Sequence, residues 1–224
     1  MITRGKGRLL TCLSLICIFG VVTVNSADAG LFGLFKSKKK SEITVRKSLV
    51  IFPFDQNTEA KVDGFGVEIA SALRESLGTK SPYSAYIFRD RLPSIKRATD
   101  DNTIKAKEEI ESPFAEKPSK AMALAKILAT EFFLVGAIED YTFDSGKNSA
   151  QITLRADLYN ATGKSEKPVK TLVITGVTPP GTRATEDDEL RAIAAGDAIN
   201  KLLVELMTES KPEEKVEEPA APAK

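Results

Sequence analysis

Three stretches of β-forming residues follow one another between Phe132 and Val177, separated only by polar turns. Phe132 to Phe143 opens as an unbroken apolar run. It then alternates, with Ile138, Asp140 and Thr142 against Glu139, Tyr141 and Phe143. Gln151 to Tyr159 alternates throughout, placing Ile152, Leu154, Ala156 and Leu158 opposite Thr153, Arg155, Asp157 and Tyr159. Val169 to Val177 comes after the turn residues Asn160–Lys164. A period of two sends successive side chains to opposite faces of a sheet, and short turns join antiparallel neighbours. The spacing therefore predicts an antiparallel meander with one face buried, and a first strand whose opening half is buried on both faces.

The residues before the meander alternate in period. Ser48 to Phe54 (SLVIFPF) reads as a strand buried on both faces, with Pro53 suited to its end. Phe65, Ile69, Leu73 and Leu77 then make one helical stripe, with Asp63 placed to cap it and Gly78 to stop it. Tyr83 to Phe88 is a shorter strand, and Arg89 to Ala98 begins with a helical turn. Asp100 to Lys117 is polar and weakly patterned, a loop or a marginal surface helix. A helix starts at Ser119, with Ala121, Leu124, Ala125 and Leu128 on one face. After the meander, a last helix runs from about Glu186 to Met207, burying Leu190, Ile193, Ala194, Ala198, Leu202 and Leu206. Its acidic first turn suits the positive end of the helix dipole. The order is strand, helix, strand, helix, antiparallel meander, helix, which predicts a single α/β (α+β) sandwich on a mixed sheet over residues 48–209.

The ends differ from this middle. Arg4, Lys6 and Arg8 precede an apolar run from Leu9 to Val24, and Ala27-Asp28-Ala29 forms a small-residue cleavage site. Residues 1–29 are thus expected to be a signal peptide cut after Ala29, or kept as an anchor, and the protein to be periplasmic or secreted. Cys12 follows Thr11 and Cys17 follows Ile16, both inside the apolar run, so neither has a lipobox and the chain is expected not to be a lipoprotein. Residues 30–47 read as an apolar and basic linker. Within it Leu31, Phe32, Leu34 and Phe35 beside Lys36, Lys38, Lys39 and Lys40 offer an alternative, weak contact with an anionic membrane. Residues 210–224, rich in Pro, Ala, Glu and Lys, cannot bury enough to order themselves and are expected to be a disordered tail.

Chemistry is constrained by what is missing. The sequence has no histidine, and both of its cysteines lie in the leader, which removes imidazole, thiolate and disulfide from the mature chain. With 32 basic against 31 acidic residues, nothing in the charge favours nucleic acid. Gly64-Phe65-Gly66 lacks the third glycine of a phosphate-binding fingerprint and reads as a helix start. Asp55, Glu139, Asp140 and Asp157 sit at or near strand ends and could ligate a hard cation. Adjacent Glu139 and Asp140 would need a bulge to share a face, so solvated strand ends are the simpler expectation, with no cofactor. Asn160-Ala161-Thr162 fits a glycosylation sequon that a hairpin turn already explains. Arg89, Asp90 and Arg91 are candidates for partner contact.

Three passages carry a resemblance: Leu49-Val50-Ile51-Phe52-Pro53-Phe54-Asp55-Gln56-Asn57; the helix-to-strand passage from Ala125 through Leu128 to Val135-Gly136-Ala137-Ile138; and the hairpin Leu154 to Thr162-Gly163. Together they resemble a group of envelope domains that includes the amino-terminal domain of TolB, the curli-secretion lipoprotein CsgG and LpoB, the activator of penicillin-binding proteins. Phe88 to Leu92 falls where such domains often end a strand in arginine before a helix. Several members are lipoproteins, and this chain departs from them in lacking a lipobox. The resemblance implies an α/β domain that binds other envelope proteins and does no chemistry: an adaptor or scaffold, not an enzyme. The alternative from the residues alone is a secreted hydrolase using carboxylates and a metal.

Overall fold

The computed structural model describes residues 46–208 except 59, 60, 79, 80 and 164, all within the second of two compact units, Ile43–Lys224. The expected leader, the membrane-contact residues Leu31 to Lys40 and the tail 210–224 lie outside the described residues. The elements run β1 (Lys47–Ile51), β2 (Asp55–Gln56), α1 (Phe65–Leu77), β3 (Tyr83–Ile87), α2 (Pro93–Asp100), α3 (Pro118–Ile127), β4 (Phe132–Asp144), β5 (Ser149–Asn160), β6 (Lys170–Val177) and α4 (Asp187–Met207). The sheet order is β3-β1-β4-β5-β6, with β2 beside β4. β1 is parallel to both β3 and β4, while β4, β5 and β6 form the expected antiparallel meander.

The apolar run at Ser48–Phe54 outlasts its strand: β1 ends at Ile51 and pairing with β4 resumes only at Asp55, past Pro53, which has no N–H to give a ladder. The Phe52 amide still bonds Leu134 at 2.9 Å, but that of Phe54 turns to the Gly66 carbonyl of α1 at 3.1 Å. The close approach requires glycine: a Cβ on Gly66 would lie 1.9 Å from the Phe54 carbonyl oxygen. Asp63 does not cap α1. Gly64 takes the cap position at φ +79°, a conformation that glycine adopts without strain. Glycine at both positions follows from a turn and a packing contact, which accounts for Gly64-Phe65-Gly66 without a phosphate.

The helices divide between the two faces. α1 and α4 bury Phe65, Ile69, Leu73 and Leu77, and Leu190, Ala194, Ala198, Leu202 and Leu206, against Leu49, Ile51, Leu134, Ile152, Leu154, Ala156 and Leu158. Ile193 is only half-buried, and Ile199 fills the interior instead. The start of α4 is tied to its neighbours: the Tyr141 hydroxyl donates to Asp187, and the Arg191 guanidinium lies 5.2 Å from the Phe65 ring centre. Burial and then the Asp187 carboxylate push the Tyr141 hydroxyl well above its ordinary pKa.

On the opposite face α2, α3 and the segment 101–117 enclose Val50, Phe52, Phe133 and Val135. That segment, expected to be a polar loop or surface helix, is irregular with one 3-10 turn at Lys107–Glu109, yet it buries Ile104 and Phe114. The Phe114 ring packs 4.7 Å from Phe52 and 5.5 Å from Phe88. Two apolar residues in a polar stretch carry too little periodicity to be read as core, but both pack into it.

Glycine substitutions separate contact from propensity. Gly66→Ala is expected to lower stability by about 3 kcal/mol, because the Phe54 backbone cannot yield. Gly196→Ala, in α4 with nothing within 4 Å of a new Cβ, should raise it by up to about 1 kcal/mol. Urea unfolding midpoints of the two variants measure both.

Candidate functional site

β1 has parallel neighbours on both sides, reached by crossovers on opposite faces: α1 leads to β3, and α2 with α3 leads from β3 to β4. At such a switch point the strand ends splay, and open α/β sheets place ligands there. A cleft of ≈ 650 Å³ lies at this end, lined by Phe54, Asp55, Asn57, Lys61, Ser112 and Glu116 among others. Two carboxylates line it: Glu116 is exposed, whereas Asp55 is engaged by the protein itself. Asp55 is 4% exposed. Its Oδ1 accepts the Ser112 hydroxyl at 2.5 Å, and its Oδ2 accepts the Phe114 and Ala115 amides, each at 2.6 Å. Gln56 pins the other wall, exchanging bonds of 2.8 Å with the Val62 amide and carbonyl.

The carboxylates of the meander gather on its second face, and this revises two expectations. The β4 register shifts between Ile138 and Asp140, so Glu139 is the extra residue of a bulge. Asp140 then pairs with Thr153, on the same face from which Arg155 reaches Glu139. Arg155 occupies the middle of the group, 3.4 Å from Glu139 and 3.1 Å from Asp157. Asp157 also accepts the Thr171 hydroxyl at 2.6 Å and is 5% exposed. Asp55 and Asp157 are therefore buried, bonded groups and not solvated strand ends. A guanidinium stands where a cation shared by Glu139 and Asp157 would stand.

Beyond Arg155 the same face is open. Register places Thr171, Val173, Thr175 and Val177 of the edge strand on it, opposite Arg155 and its neighbours, and Val169 lies just before the strand begins, its amide bonded to Leu158. All five are exposed, Val173 at 62%, Val169 at 52% and Val177 at 41%. Among the described residues, cover on this face stops at Tyr159, whose ring stacks on Phe133 at 4.9 Å. The outer edge of β6 is guarded from α4: Asp197 accepts the Val177 amide at 3.0 Å, and Lys201 donates to the Thr175 carbonyl at 3.0 Å. The Lys201 ammonium and the Val177 amide hold the Asp197 carboxyl below its ordinary value. This guard thus persists above that value and fails as pH falls through the lowered one.

Arg89, Asp90 and Arg91 form the exposed turn between β3 and α2, at the same end of the sheet as Asp55. They do not pair with one another among the described residues. Glu111, bonded to Lys107 at 2.9 Å, and more weakly Asp90 raise the Lys107 ammonium above its ordinary pKa. The Val-Thr-Val-Thr-Val stripe was missed as a site by sequence reasoning, although its alternation is plain in Val169 to Val177. What the sequence does not reveal is that no helix of the described residues lies over it.

No protein-family profile matches this sequence, and no curated protein matches it. Solved structures with similar folds include the PelC dodecamer from Paraburkholderia phytofirmans, at 16% identity over 74% of this chain and 90% of that one, with a TM-score of 0.47. Lipoprotein GNA1162 from Neisseria meningitidis is similar at 12% identity over 73% and 99% of the two chains, TM-score 0.40. The LpoB C-terminal domain from Escherichia coli is similar at 11% identity over 62% and 89%, TM-score 0.39.

The Asp55 contacts can be tested by deletion. Asp55→Ala leaves three donors without their acceptor and should cost about 3 kcal/mol or more, with Asp55→Asn, which keeps one acceptor oxygen, costing less. Urea titration of both variants measures the order. Equal stability of Asp55→Ala and the parent would show that the carboxylate holds nothing.

Proposed function

We propose that this chain is a non-catalytic, exported binding domain of the cell envelope, an adaptor or scaffold for other periplasmic or outer-membrane proteins. The observation that carries the reading is the state of the switch point. The carboxylate at the strand ends, where an α/β enzyme would present a reacting group, is consumed in holding the segment 112–115. The leader with its cleavage site supports export. The exposed apolar stripe on β6 supports a role in contact, since runs of this kind on a folded surface mark interaction sites. Arg89, Asp90 and Arg91 offer a second contact on their exposed turn, and Leu31 to Lys40 a weak membrane contact that leaves this reading unchanged. In the rival reading, a carboxylate-dependent hydrolase, Asp55 and Asp140 would act together. They have separate settings, Asp55 buried against the segment 112–115 and Asp140 exposed on the open face.

In-cell crosslinking of a C-terminally tagged chain at native abundance, followed by purification and mass spectrometry, tests the proposal. The expected result is reproducible co-recovery of a defined envelope protein. Recovery of the chain alone, with crosslinking shown to work on a control, would contradict it.

A further inference from the structure

The sheet has a complete layer of helices on one face and an incomplete one on the other. α1 and α4 span β1 to β6, whereas α2, α3 and the segment 101–117 stop at Tyr159. The uncovered remainder is two strands wide and combines two chemistries. Along the edge runs the β-branched stripe Val169, Thr171, Val173, Thr175 and Val177. Toward β4 the same face carries the carboxylates of Glu139, Asp140, Asp144 and Asp157 against the guanidinium of Arg155, with Lys147 at the hairpin bonded to Asp144. Asp140 is exposed and has no hydrogen-bond or ion-pair partner among the described residues. The surface is thus apolar on one side and net acidic on the other.

From this we propose, resting on the adaptor reading above, that the open face of β5 and β6 receives an amphipathic helix of a partner protein. The apolar side of that helix lies along Val169, Val173 and Val177, and its Lys or Arg residues point toward Asp140 and Glu139. Two features select a helix over an added strand. Asp197 and Lys201 already bond the outward amide of Val177 and the outward carbonyl of Thr175, so strand addition at this edge would first have to break those bonds. The face, in contrast, is a position that no helix of the described residues fills, in a layer that helices fill elsewhere. From Val169 to Val177 is roughly 27 Å of strand, matched by about 18 helical residues. The charge selects a basic helix over an acidic one, and makes association faster at low salt. A second copy of this chain is disfavoured, because two such faces would oppose acid to acid.

The test is site-specific photo-crosslinking in cells with p-benzoylphenylalanine at Val173 or Val177, and at Val67 on the exposed side of α1 as control, with the captured segment identified at peptide level. Adducts are expected at Val173 and Val177 and not at Val67, to a segment with helical apolar spacing and flanking Lys or Arg. Asp140→Lys should reduce the Val177 adduct about tenfold. Adducts to a second copy of this chain, to an acidic or extended segment, or in yields unchanged by Asp140→Lys would overturn the proposal. A partner recovered by general crosslinking but giving no adduct at Val173 or Val177 overturns the face and leaves the adaptor reading standing. No partner by either method overturns both.

Discussion

The carboxylate of Asp55 joins two parts of the molecule that have little else to join them. The segment 101–117 is mostly polar or charged and contributes only a few apolar side chains, Ile104, Phe114 and Ala115, to the interior. Burial on that scale is opposed by the entropy of ordering so many residues. Asp55 supplies the missing term: three donors of the segment converge on its buried carboxylate at the floor of the cleft, where charge-assisted hydrogen bonds are strong. With the segment held, Phe114 enters the gap between Phe52 and Phe88, and the second core closes. The same contacts decide what the switch point can do. With three donors on its two oxygens, Asp55 is committed to holding the segment, which is what the non-catalytic reading proposed above rests on.

On the reading proposed above, function falls to the surfaces. The meander reaches further across the sheet than the helices of the second face, and the difference is an exposed, β-branched strand beside a group of acids. Arg155 keeps that group compact by pairing with both Glu139 and Asp157, while Asp140 at the surface has no pairing partner among the described residues. Bonds from α4 to the edge of β6 protect the strand from the pairing that an exposed edge invites. A face left open beside an edge that is guarded is the arrangement expected of a domain that binds by packing.

Much of the fold was legible because its signals are local. The stripe Phe65, Ile69, Leu73 and Leu77 and the alternation from Gln151 to Tyr159 each fix an element and its buried side without reference to the rest of the chain. The misses are contacts between distant segments or details of backbone geometry. Asp63 looked like a cap because its side chain suits one, but the chain turns at Gly64 with a positive φ. Asp55 meets residues 57 to 60 positions away, and no pattern near it announces them. The bulge at Glu139 was required for two adjacent acids to share a face, yet only the register shows that it exists. The open stripe was legible as a strand and not as a surface, because exposure depends on where the helices end.

Native-state hydrogen exchange at the Phe114 and Ala115 amides tests the central claim most directly. If Asp55 holds this segment as part of the core, both amides should exchange only through global unfolding, as slowly as the amides of β4 and β5. Exchange at the rate of the exposed turn at Lys107–Glu109 would mean that the segment opens freely. The carboxylate of Asp55 would then be free to act, and the reading of this end of the sheet as closed would be wrong.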